Sequence, residues 1–286
     1  MTEIKIDSEK CTGCGACVDV CNVTHVYKMQ EKKAIVASER RCWQCGQCVA
    51  VCPVDAIEHS DFPLEECPPI AKYADEEIVR MDAVMQSRRS VRVFKNKPVE
   101  RSVIEDLVKK ASGAPSAKNR QAVDWIAIDD VEKIASLREQ TIAVLVEAAR
   151  ELRVKAEDES LSDASQHENL MYAKSLEFLQ RRQDRGEDAL FYDAPVLLLA
   201  HVPEGEFGEA DAVYAGYGLM LAAHLQGLGT CQIGYFGVAL DQDASLQDEV
   251  GVPEGREIKL AMIIGYQKYR YRREIPRRMP DVKWVS

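Results

Sequence analysis

The cysteines decide what the first part of this chain can be. Cys11, Cys14, Cys17 and Cys21 are followed by Cys42, Cys45, Cys48 and Cys52, so the spacing C-x2-C-x2-C-x3-C occurs twice. Of the ten cysteines, only Cys67 and Cys231 lie outside these runs. Residues 1–58 hold little continuous apolar sequence. A segment that short and that polar cannot build an ordinary core, so it needs crosslinks or metal to fold. A disulfide framework goes with export. The stretch Met1 to Lys10 is polar and mixed in charge, without the apolar centre of a secretory signal. Clustered thiols therefore point to metal, in a protein expected to be cytoplasmic. Gly13, Gly15 and Gly46 sit where tight turns are needed between cysteines. Zinc is the simpler alternative, but a zinc site takes four ligands, usually from paired C-x-x-C units, and fits two runs of four poorly. For Cys67 and Cys231 the expectation is a buried thiol.

The net charge of −10 and a pI of about 5.2 exclude general nucleic-acid binding, which needs concentrated Lys and Arg. The longest mostly apolar run, Ala212 to Leu225, is too short to span a bilayer. Three regions differ in composition: 1–58 with the cysteines, 59–76 with Pro68-Pro69 and several acids, and 77–286. The middle region reads as a linker, because paired prolines continue neither a helix nor a central strand. The last region reads as α+β. Helices are expected at Asp82–Arg88, Glu100–Ala111 and 212–226, the last ended by Gly227; strands are expected at Val123–Ile128, Val196–His201 and Lys259–Gly265. Residues 132–188 are charged and largely helical, and read either as a solvated face or as a lid over a site.

The paired cysteine runs resemble the bacterial two-cluster ferredoxins, over residues 3–58. The resemblance implies two [4Fe–4S] clusters, in which the fourth cysteine of each run ligates the other cluster. Cys11, Cys14, Cys17 and Cys52 would hold one, and Cys42, Cys45, Cys48 and Cys21 the second. The chain departs from the family at Asn22, where a proline usually follows the cysteine. That frees a backbone N–H near a cluster sulfur.

Two further motifs stand in 77–286. Ser87-Arg88-Arg89-Ser90-Val91-Arg92-Val93-Phe94 offers charge and directional donors for a phosphate. Ala114-Pro115-Ser116-Ala117-Lys118-Asn119-Arg120-Gln121 is a loop of small and amide residues before a strand. Gly227-Leu228-Gly229-Thr230-Cys231-Gln232-Ile233-Gly234, Ile263-Ile264-Gly265-Tyr266 and a basic tail follow. In this order and spacing the segments resemble the nitroreductase family of flavoproteins, over residues 80–286. The resemblance implies FMN bound in a homodimer. By position, Arg88, Arg89, Ser90 and Arg92 would hold the phosphate and ribityl end. Pro115, Ser116 and Asn119 would lie along the isoalloxazine ring. The Ile233, Gly234 and Tyr235 backbone would face its N5 side, and Arg278, with Arg277 as competitor, would reach the phosphate.

No general acid or base stands out, as suits flavin-centred chemistry. His167, His201 and His224 read as structural or exposed. The expected function is an iron–sulfur flavoprotein oxidoreductase. Its clusters would relay electrons to FMN, and an organic acceptor of nitroaromatic or quinone type would be reduced. The alternative is an electron-transfer protein shuttling between protein partners, which a flavin sealed from solvent would favour. No Gly-x-Gly-x-x-Gly follows a strand, so the donor is either NAD(P)H bound at the flavin or a reduced ferredoxin.

Overall fold

The computed structural model describes residues 2–69, 75–205, 207–273 and 275–285. The chain divides into two compact units. One is Met1–Ala74 with Ser116–Gln121, and the other is Asp75–Pro115 with Ala122–Ser286. Of the stretch read as a linker, residues 70–74 lie outside the described residues.

The first unit holds β1 (Ile4–Ile6), α1 (Ala16–Val20), β2 (Tyr27–Gln30), β3 (Lys33–Val36), α2 (Gln47–Val51) and β4 (Ile57–His59). Strands β1 and β4 pair antiparallel with Ile4 opposite His59, and β2 and β3 form a hairpin. Each short helix follows a cysteine loop and starts from a left-handed glycine, Gly15 or Gly46. At Gly13 any side chain would run into the Lys32 carbonyl, so the first loop packs on the hairpin turn only with glycine there. The core is small: Ile4, Val26, Tyr27, Ala34, Val49 and Ile57 pack with Cys11, Cys17 and Cys48. The cysteines are thus part of what this unit has to bury.

The second unit is built on a four-stranded antiparallel sheet in the order β5 (Asp124–Ile128), β6 (Val196–Pro203), β8 (Arg256–Tyr266), β7 (Leu228–Gln232). Along β6, Leu197 and Leu199 enter one core while Val196, Leu198, Ala200 and Val202 enter another. On β8, Ala261 and Ile263 alternate with Leu260, Met262 and Ile264 in the same way. The period of two therefore feeds two cores, and both strands read as continuous apolar runs because both faces are covered. One face carries α5 (Val131–Ala156), α6 (Asp163–Gln183), α8 (Gly234–Gln242) and α9 (Ala244–Val250). The other carries α4 (Arg101–Ala111) and α7 (Gly208–Leu225). Helix α3 (Asp75–Ser87) contacts α7.

Residues 132–188 are a packed helical pair. Leu137, Ile142, Leu145 and Ala149 of α5 and Ala173, Leu176 and Leu179 of α6 are buried in one core, and the polar residues lie outside. Asp130 and Ser162 cap the two helices with their side chains. Helices α3 and α7 begin earlier than apolar spacing predicts. Both open on acidic residues, which favour a helix N-terminus without adding to an apolar pattern. Strand β7 is an addition, hidden in what reads as a glycine turn. The reason is packing: a side chain at Gly229 would lie 2.6 Å from Val91, so glycine lets the arginine segment lie flat on the sheet edge. There Val91 N–H donates to the Thr230 carbonyl at 2.9 Å. Cys231 is buried as expected, while Cys67 is half-buried, in the loop after a single 3-10 turn at Leu64–Glu66.

Candidate functional site

Two sets of predicted site residues are brought together, each within its own unit. In the first unit Cys11, Cys14, Cys17 and Cys52 line one cavity, closed by Ile6, Ala34, Val54 and Ile57. The fourth member of the second run therefore sits with the first three of the first run. Electrostatics groups the thiols in the same way. Cys17 is raised by burial first, and then by Cys11, Cys14 and Cys52. Cys42 is raised by burial and then by Cys45 and Cys21. Cys48 is raised by burial, with Cys42 and Cys45 as its charged neighbours. Cys11 moves the other way, held down chiefly by the Ala34 N–H.

The first set of thiols thus lines a cavity. Among the described residues no three His, Cys, Asp or Glu side chains converge on a single-ion position. The buried Tyr27 hydroxyl faces the Cys48 thiol. Several sulfurs have polar neighbours. Gln44 N–H donates to Cys42 Sγ at 3.3 Å and Ala56 N–H to Cys52 Sγ at 3.2 Å. Thr24 Oγ1 lies 3.1 Å from Cys21 Sγ, and His59 Nε2 lies 3.5 Å from Cys42 Sγ. Clustered thiols, a buried hydroxyl set against one of them and donors aimed at sulfur fit thiolate-ligated clusters.

In the second unit the end of β7 meets the arginine segment. Arg88, Ser90 and Arg92 all act on the buried Cys231 thiol, which burial raises and Arg92, Ser90 and Arg88 lower. Arg92 lies over the Tyr192 ring, 5.7 Å from its centroid. A cavity of about 400 Å³ is lined by Arg92, Cys231, Gln232, Ile233, Gly234 and Tyr235, with Tyr172 and Tyr192 on its wall. At Gly234 no atom stands within 4 Å of where a side chain would be, so backbone is open to a ligand there. Arg89 turns inward: one guanidinium nitrogen donates to the Gln86 and Arg88 carbonyls, and the other is buried without a partner among the described residues. Two guanidinium groups, a hydroxyl and exposed backbone at a helix start fit an anionic cofactor with a polar ring.

Pro115 ends a segment of the second unit, while Ser116 and Asn119 belong to the first. Ser116 Oγ accepts the Gln121 N–H, and the Asn119 amide donates to the Gln44 carbonyl at 2.7 Å. Arg277 and Arg278 are exposed in the irregular C-terminal stretch. His167 is exposed, His201 is buried with Nδ1 accepting from Arg256 Nε at 2.6 Å, and His224 bonds Ser87. Sequence reasoning missed Tyr172, Tyr192 and Asp188. The Asp188 carboxylate accepts the Leu190, Phe191 and Asp193 N–H groups and pins the loop that carries Tyr192. A tyrosine in a polar helix carries no signal of the wall it will form.

Residues 85–266 match the nitroreductase family. The chain belongs to that family. This nitroreductase-family chain also carries a 4Fe-4S dicluster domain at its N-terminus, matched over residues 10–56. There it is similar to Ferredoxin-2 of Desulfomicrobium norvegicum, 60% identical over 30 residues, which are 10% of this chain and 49% of the relative. Ferredoxin-3 of Desulfocurvibacter africanus is 58% identical over 33 residues, 12% of this chain and 52% of the relative. The chain thus spans about half the length of the ferredoxins it matches. Among solved structures, an FMN-bound nitroreductase of Bacteroides fragilis superposes with a TM-score of 0.55 at 19% identity, over 72% of this chain and 98% of that one. An FMN-bound nitroreductase of Desulfitobacterium hafniense gives 0.51 at 22%, over 72% and 98%. A BluB-like flavoprotein of Clostridium difficile gives 0.52 at 19%, over 70% and 94%. These likenesses establish the fold. The chain thus joins a 4Fe-4S dicluster domain to a nitroreductase-family domain. Among the described residues no helix is long and apolar enough to cross a membrane.

Proposed function

We propose that this chain is an iron–sulfur flavoprotein that passes electrons from two [4Fe–4S] clusters to FMN and on to a small organic acceptor of nitroaromatic or quinone type. When bound, the clusters carry single electrons and the flavin stores two. The observation that carries the reading is the cavity bounded by Arg92, Ile233, Gly234 and Tyr235. It adjoins the arginine segment and is open toward solvent, which favours an acceptor over a sealed relay.

The chain's residues divide the work. Cys11, Cys14, Cys17 and Cys52 hold one cluster, and Cys21, Cys42, Cys45 and Cys48 the other. Arg88 and Arg92 neutralise the phosphate and Ser90 donates a hydrogen bond to it, with Arg278 as a further cation. The backbone at Ile233, Gly234 and Tyr235 orients the ring, while Tyr172 and Tyr192 limit water and shape acceptor entry. Pro115 lies along the ring. A homodimer is the working unit, supported by the exposed Tyr214 and Tyr217 of α7. A reduced ferredoxin or NAD(P)H serves as donor.

The test is cofactor content. Anaerobically purified protein should hold about eight irons and about one FMN per chain. Zinc in place of iron, or a chain that binds no FMN, defeats the reading.

A further inference from the structure

The two cysteine sets are not equivalent in what touches their sulfurs. In the set containing Cys11 and Cys52, the donors to sulfur are backbone amides, Ala34 and Gly13 toward Cys11 and Ala56 toward Cys52, while the Lys33 ammonium bonds the Cys11 carbonyl and places a positive charge nearby. In the set containing Cys42 and Cys21, side chains take part. Thr24 Oγ1 sits at Cys21, and His59 Nε2 sits at Cys42 beside the Gln44 N–H.

His59 is held for this contact. It ends β4, opposite Ile4, and its side chain is fully buried. Its Nδ1 accepts the Asp61 N–H at 3.2 Å. An amide can only donate, so Nδ1 presents its lone pair and the ring proton sits on Nε2, facing Cys42 Sγ. The ring leans on Phe62, with centroids 4.9 Å apart. The Asp61 carboxylate is itself engaged by Thr2 Oγ1 at 2.7 Å and Gln44 Nε2 at 3.1 Å. The imidazole is therefore fixed in orientation and in tautomer, with one donor aimed at one sulfur.

We propose that His59 is a positioning residue that tunes one cluster: its Nε2–H bond to Cys42 Sγ raises the reduction potential of the Cys21/Cys42/Cys45/Cys48 cluster above that of the other. The inference rests on the two-cluster reading above. Reduction adds one negative charge, spread in part onto the ligand sulfurs. A donor on sulfur stabilises the reduced form more than the oxidised one. The Thr24 hydroxyl acts in the same sense on the same set, whereas at the first set the Lys33 ammonium donates to the Cys11 carbonyl and not to a sulfur. The split makes this cluster the place where an incoming electron settles.

The experiment is an anaerobic redox titration of the full-length protein followed by electron paramagnetic resonance, after iron and sulfide are assayed. His59→Leu should lower the higher of the two midpoints by roughly 59 mV, on the order of a tenfold change in a one-electron equilibrium, and leave the lower in place. His59→Gln, which keeps an N–H near the Nε2 position, should recover most of the shift. A purely structural role would move both midpoints or neither. Should His59→Leu lose its clusters, the unaltered reduced protein still decides. Pulsed resonance should find an imidazole nitrogen and an exchangeable proton coupled to the signal that appears first. Coupling to the other signal, or none, overturns the proposal. A chain without clusters overturns this inference and the reading beneath it. Two intact clusters indifferent to residue 59 overturn this inference alone.

Discussion

Arg92 covers the ring of Tyr192, its guanidinium carbon 5.7 Å from the ring centroid, and so stands on the wall of the same cavity that the Gly234 backbone opens. The guanidinium sits beside the tyrosine ring and is shared with Tyr192 and the Cys231 thiol, and with five N–H groups it has further donors to offer an anion. Arg92→Ala should weaken FMN binding about tenfold to a hundredfold, the ~1.5–3 kcal/mol of a charge-assisted hydrogen bond. Fluorescence titration of the full chain with FMN checks this, and cluster content should not change.

Gly229 fixes where the arginine segment lies. A β-carbon there would stand 2.6 Å from the Val91 side chain, next to the Val91–Thr230 backbone bond. Gly229→Ala should cost about 1–3 kcal/mol as overpacking. It should also lower FMN retention, because Ser90 and Arg92 flank Val91. Denaturant unfolding and flavin content, measured together, test both effects. A variant that is destabilised but holds FMN normally would show that the cradle does not depend on this edge.

The His201 ring predicts a pH dependence of stability. Burial chiefly, and Arg256 after it, hold its pKa below the ordinary 6.5. The unfolded chain then binds the proton first as pH falls. It holds more protons than the folded state below 6.5, so this residue's contribution is present at neutral pH and is lost on acidification. His201→Asn keeps an acceptor toward Arg256 Nε and cannot titrate. Its stability should fall less steeply than that of the wild type between about pH 7.5 and about pH 5.

Much of this was legible in the sequence, for physical reasons that differ by element. Cysteine spacing is a local constraint, and the cage of Cys11, Cys14 and Cys17 follows from it. Strands β6 and β8 announce themselves because burial on both faces leaves no polar position. Strand β7 hides because the glycines that allow close packing look like a turn. Tyr172 and Asp188 were invisible for another reason. One is an ordinary surface residue of a polar helix, and the other earns its place by accepting backbone N–H groups in a loop whose shape no periodicity encodes. His59 was equally silent, since a histidine at a strand end says nothing about the sulfur it meets.

The central claim is that electrons enter through the cysteine module and reach the acceptor through the flavin. A protein beginning at Asp75 keeps both cores of the second unit and should fold and bind FMN. The decisive measurement is anaerobic steady-state reduction of an organic acceptor by this protein and by the full chain, corrected for FMN content. Each is supplied either with a small chemical reductant or with reduced ferredoxin. The account predicts that the shortened protein keeps its turnover with the chemical reductant and loses most of it with ferredoxin. Equal rates with ferredoxin for the two proteins would contradict it and would make the cysteine module an exit path or a structural element.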